Sequence, residues 1–90
     1  MGREIVLFKS EERKDLGSVV DFLHQLADTL AENQVKLRRG TEELTVHIPN
    51  NVVFEIKVEE ENKQGKMKRS LEVEIEWIEG DETAGAVTLG

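Results

Sequence analysis

Glu72, Glu74 and Glu76 alternate with Leu71, Val73, Ile75 and Trp77. A strand here sets three carboxylates in one row, about 7 Å apart. Such a row could bind a divalent cation or work as a carboxylate pair, and His47 is the imidazole a sheet would bring towards it. His47, Glu74 and Glu76 are therefore the candidate metal set. Against this stands a solvated strand face that keeps a sheet soluble, since acid–base chemistry also needs a cleft and an open sheet face has none. The solvated face is the stronger reading, so neither a metal nor a cofactor is expected. His24, with Asp21 and Asp28 in reach, could bind metal or shuttle protons, but that spacing more often gives a surface pair of a few tenths of a kcal/mol. Trp77 falls in phase with Leu71, Val73 and Ile75. It reads as core or core edge rather than a ligand-stacking ring, with an indole N–H that wants a partner near a chain end. Lys36, Arg38 and Arg39 form the best basic patch, yet no aromatic interleaves it and Glu42 and Glu43 follow at once, which speaks against nucleic acid.

The inventory of nucleophiles is short. Cys and Tyr are absent, and the serines are Ser10, Ser18 and Ser70. A serine nucleophile needs a base within hydrogen-bond reach and a third group to orient it. His24 follows Ser18 by more than a helical turn, and His47 falls on a different strand from Ser70. No Gly-rich loop joins a strand to a helix, so a phosphate cradle is missing. A two-layer domain this small also leaves little room for a pocket of ~300 Å³ or more. The expectation is a protein that is not an enzyme.

Composition narrows the partners. The 90 residues carry a formal charge of −7, a sequence pI near 4.8 and 34% charged residues, a balance that disfavours a phosphate backbone. The longest apolar run, Ile5 to Phe8, is far too short to span a membrane or form a signal-peptide core, and Val6 stands where a myristoylation signal wants Ser or Thr. The default is a cytoplasmic protein with no membrane partner.

The elements that position these residues follow from period. Leu16, Val19, Val20, Leu23, Leu26, Ala27 and Leu30 recur at helical spacing and fall within an arc of about 120°, predicting one amphipathic helix from Asp15 to Glu32. Asp21, Gln25 and Asp28 lie on its far side. Asp15 is placed as the N-cap, accepting from the backbone N–H of Gly17 or Ser18, and Asn33 as the left-handed residue that ends the helix. Residues 4–9, apolar on both faces, read as a first strand, and 10–14 as a charged connector.

Period two then runs to Ile78. Val35 and Leu37, then Leu44, Val46 and Ile48, then Phe54, Ile56 and Val58, then Leu71, Val73, Ile75 and Trp77 alternate with polar residues, the pattern of antiparallel strands with one wet face. A turn at Gly40-Thr41 pairs Leu37 with Leu44 and Arg38 with Glu43. A loop over 49–51 pairs Val46 with Phe54 and Glu43 with Lys57, and puts Val53 between His47 and Glu76. A loop over 63–66 pairs Ile56 with Val73 and Lys57 with Glu72. The outer face gains a row of alternating sign, Arg38, Glu43, Lys57, Glu72. The fold expected is α+β in two layers, βαββββ, an antiparallel four- or five-stranded sheet with one helix packed on one face. The first strand lies either parallel beside the Val35 strand or antiparallel beside the Trp77 strand. One domain is expected over 1–78 and a disordered tail over 79–90.

The "LF" ending the first strand, the helix "VVDFLHQLADTL", the meander "HIPNNVVFEIKVE" and the closing "LEVEIEW" together resemble the amphi-Trp domain family. The resemblance covers roughly residues 5–78. Phe22, Leu23, Leu26, Ala27, Asp28 and Leu30 match the family's helix and Trp77 its final tryptophan. Asp15, Leu16 and Gly17 depart from its usual serine cap and following acids. The resemblance implies the fold and no particular activity. Two functions fit: a non-catalytic interaction module, either a weak homodimer through an exposed strand edge or a binder of another protein, and a small-ligand or divalent-cation-binding protein using the acidic face.

Overall fold

The computed structural model describes residues 2–80. Its elements are helix α1 (Leu16–Leu30) and strands β1 (Gln34–Arg39), β2 (Glu42–His47), β3 (Val53–Lys63) and β4 (Lys66–Glu76). The class is α+β. Its contacts divide into two units, Met1–Ile48 and Pro49–Gly90. The strands form two two-stranded antiparallel sheets, β1-β2 and β3-β4, in place of the single larger sheet expected. The expected pairings Val46 with Phe54 and Glu43 with Lys57 would join one unit to the other and belong to neither sheet.

In the first unit, Asp15 stands at the N-cap of α1 in extended conformation, and its carboxylate takes the Ser18 hydroxyl at 2.6 Å, a partner the expected cap did not include; that hydroxyl first, and the Ser18 backbone N–H as well, lower the Asp15 pKa. The helix closes through Asn33, whose φ of 61° is left-handed as expected. Asn33 and Ile48 then exchange hydrogen bonds: the Ile48 N–H donates to the Asn33 carbonyl at 2.8 Å, and Asn33 Nδ2 donates to the Ile48 carbonyl at 2.9 Å. Ile48, 8% exposed, is the buried hydrophobic side chain of this unit among the described residues. Val35, Leu37, Leu44 and Val46 on one face of the hairpin are half-buried, as are Leu26 and Leu30 of the helix that packs on β1. The hairpin has the expected register, with Leu37 opposite Leu44 and Arg38 opposite Glu43 around Gly40-Thr41. Residues 4–9 form no strand. Arg39 holds them instead, donating from Nη1 to the Lys9 carbonyl at 2.7 Å, so a side chain supplies the hydrogen bond that a neighbouring strand would have given.

In the second unit, β3 and β4 are each 11 residues long. Ile56 faces Val73 and Lys57 faces Glu72, as expected. The turn is tighter than the four-residue loop expected. Lys63 pairs directly with Lys66, and only Gln64 and Gly65 turn the chain, with φ of 51° and 79°. Two successive positive φ values mark the type I′ turn, whose twist matches that of the flanking strands. Glu79 and Gly80 lie in a turn; the rest of the expected disordered tail over 79–90 lies outside the described residues.

Candidate functional site

The β3-β4 hairpin divides chemistry between its faces, because successive side chains alternate sides. On one face the rungs run Glu55 opposite Glu74, Lys57 opposite Glu72 and Glu59 opposite Ser70. Lys57 Nζ lies 3.3 Å from Glu72 and 3.8 Å from Glu59, and these partners, the Glu72 hydrogen bond first, hold its pKa above the usual 10.5. Glu74 has the opposite surroundings. Glu76 along the strand, then Glu55 across it, push its carboxyl above the ordinary 4.5 although it is open to water. Glu55, Glu74 and Glu76 thus crowd like charge at this end of the face. Among the described residues no group of three or more His, Asp or Glu side chains is set to hold a metal ion.

The candidate metal set is distributed accordingly. Glu74 and Glu76 share the acidic face, Glu76 opposite Val53, whereas His47 pairs with Gln34 at the end of β2. The expected route from His47 through Val53 to Glu76 runs through a β2–β3 pairing, which is part of neither two-stranded sheet. His24 is exposed on α1 and, among the described residues, makes no ion pair with Asp21 or Asp28.

The other face of the hairpin is apolar. Its rungs are Phe54 opposite Ile75, Ile56 opposite Val73 and Val58 opposite Leu71, followed by Glu60 opposite Arg69. Phe54, Ile56, Val58, Leu71 and Val73 are each between 59% and 69% exposed. Arg69 Nε meets Glu60 Oε2 at 2.7 Å, closing the face with a neutral pair. The sequence pattern located these residues but read them as core.

Trp77 follows directly after β4 and is half-buried. Its indole N–H points to Glu79 Oε2 at 3.4 Å, a long contact with a neighbour at the end of the strand. With Pro49, Asn51, Val52, Val53, Glu76 and Ile78 it lines an open depression of about 630 Å³, more room than the inventory of a small domain suggested.

That tryptophan, closing an amphipathic hairpin, is one part of the pattern on which the resemblance rested. The Amphi-Trp domain profile matches residues 1–90. The chain belongs to the Amphi-Trp family. No curated protein and no solved structure matches it.

The basic patch of this Amphi-Trp domain also differs from its sequence reading. Lys36, Arg38 and Arg39 line a second depression, of about 500 Å³, together with Phe8 and Phe22. The Arg39 guanidinium sits 5.5 Å from the centre of the Phe8 ring. Aromatics thus do accompany the cations, brought from residues too distant for local spacing to reveal. Two of the three charges are already answered: Arg38 binds Glu43 at 2.8 Å and Arg39 binds Glu42 at 3.1 Å. The hydrogen bond from Arg38 is the main cause that lowers the Glu43 pKa below 4.5. No helix among the described residues is long and apolar enough to cross a membrane.

Proposed function

We propose that this Amphi-Trp protein is a non-catalytic, cytoplasmic interaction module that presents the apolar face of β3-β4 to a protein partner. The observation carrying this reading is the uncovered row Phe54, Ile56, Val58, Leu71 and Val73, each more than half exposed. Contiguous apolar surface of this kind marks an interaction site, whereas scattered single residues do not. The absence of catalysis is supported by the serines. Ser18 donates to Asp15 and Ser10 to Glu12, at 2.6 and 3.4 Å, and Ser70 stands opposite Glu59. None of the three is offered a histidine base in these contacts.

The test is a selection of displayed peptides on the full chain, counter-selected on Leu71→Glu. Apolar peptides that bind the native chain and lose the variant support the reading. A selection that yields no binder sensitive to Leu71 overturns it. The cation reading of the acidic face has Glu74, Glu76 and Glu55 in its favour as crowded carboxylates. A calcium titration that shifts the Glu74 and Glu76 amides at micromolar ion would favour it over the module.

A further inference from the structure

We propose that the occupant of the β3-β4 apolar face is the same face of a second copy of this chain, a proposal that rests on the interaction-module reading. Charge selects this occupant. The chain carries −7, yet the carboxylates of Glu55, Glu59, Glu72, Glu74 and Glu76 all fall on the opposite face of the hairpin. The apolar face holds one acid, Glu60, and Arg69 answers it at 2.7 Å. A strongly charged partner finds nothing there to pair with. An identical face meets no like charge at the contact, and the two acidic rows point outward from opposite sides of a sandwich whose sheets stand ~10 Å apart.

Shape agrees with charge. A two-fold axis between the sheets, crossing the strands at the Ile56–Val73 rung, lays that rung on itself. It also sets the bulky Phe54–Ile75 rung of one copy over the smaller Val58–Leu71 rung of the other, a self-complementary arrangement. Side chains of these types, more than half exposed, offer on the order of 500 Å² per copy. That is below the ~800 Å² per partner of a standard interface, so the dimer is weak and forms at high concentration.

Sedimentation equilibrium of the full chain tests this, from about 10 μM to 1 mM. The expected mass rises from 10.2 kDa towards twice that value as concentration increases. Leu71→Glu and, independently, Val58→Lys keep the monomer mass throughout; both sites are exposed, so neither change needs the hairpin to repack. Glu59→Gln on the opposite face dimerises like the native chain. Monomer mass for the native chain at every concentration overturns the proposal, as does dimerisation that both Leu71→Glu and Val58→Lys leave intact. A soluble gadolinium chelate, read on the Val58, Leu71 and Val73 methyls, separates the two failures. A monomer with these methyls accessible leaves the module reading standing without its self-partner; a monomer with them shielded at every concentration overturns both.

Discussion

Asn33 gives the sharpest test of how the helical unit is held together. Two independent contributions meet at this residue. Its φ of 61° places the backbone where an L residue with an ordinary side chain is strained, and asparagine is among the few that tolerate it. Its Nδ2 also donates to the Ile48 carbonyl at 2.9 Å in a partly buried setting. Asn33→Ala forfeits both, about 1 kcal/mol for the backbone and about 1 kcal/mol for the hydrogen bond. Asn33→Gly accepts the conformation and forfeits only the hydrogen bond, so its cost is about half as great. The backbone bond from the Ile48 N–H to the Asn33 carbonyl survives in both variants.

A total of about 2 kcal/mol is a sizeable part of the stability of a small domain and lowers its melting temperature by roughly 8–16 °C. The measurement is urea and thermal unfolding followed at 222 nm, which reports α1, the element Asn33 terminates. The order expected is native, then Gly, then Ala. An Ala variant as stable as the native chain, or a Gly variant that loses as much as Ala, refutes the two-part account.

Gln64→Asn supplies the residue that a type I′ turn favours and raises the melting temperature slightly, whereas Gly65→Ala forces a side chain to φ 79° and lowers it; equal melting temperatures for the two variants would contradict the turn. Glu74→Gln removes a carboxyl whose folded pKa is raised by Glu76 and Glu55. The repulsion is present above that pKa and relieved below it, so the variant is the more stable at pH 7 and the difference vanishes in acid; thermal melts across pH check this. Ser18→Ala takes away the hydroxyl that most lowers the Asp15 pKa, so the carboxyl returns towards 3.8 in an NMR titration. Lys57, with its pKa raised mainly by Glu72, stabilises the hairpin below pH 10.5 and loses that contribution as pH climbs through its folded value. A Glu72→Gln chain measured alongside should show a weaker loss.

Local rules were enough for much of this architecture. The α1 stripe, the Asn33 terminus and the registers Leu37–Leu44 and Ile56–Val73 depend on period and turn chemistry within one stretch of chain, and both are written in neighbouring residues. What did not follow were the features that join distant stretches. Residues 4–9 are apolar enough for a strand, but a strand exists only with a partner, and Arg39, thirty positions on, takes the Lys9 carbonyl instead. Phe8 beside Arg39 escaped for the same reason. The β2–β3 pairing, part of neither two-stranded sheet, was inferred from continued alternation, which fixes the faces of a strand but not the identity of its neighbour. His47 was attached to Glu76 only through that pairing, so the metal set rests on a contact that no local rule supplies.

The same limit bears on the candidate site. Alternation separates charge from apolar surface on the β3-β4 hairpin, and each face then has a different claim to function. A row of carboxylates needs convergence to bind a cation, and a strand spreads its side chains along a line, so Glu72, Glu74 and Glu76 repel one another more readily than they chelate. An apolar row needs no convergence. Its driving force is proportional to area, and alternation lines up that area without any further device. One hairpin can therefore be a poor metal site and a competent docking face from a single sequence pattern. The Glu60–Arg69 pair at the end of the apolar rungs keeps that face neutral within an acidic chain. Arg69→Glu would put two acids opposite each other there and should weaken docking while Leu71, Val73 and their neighbours remain in place.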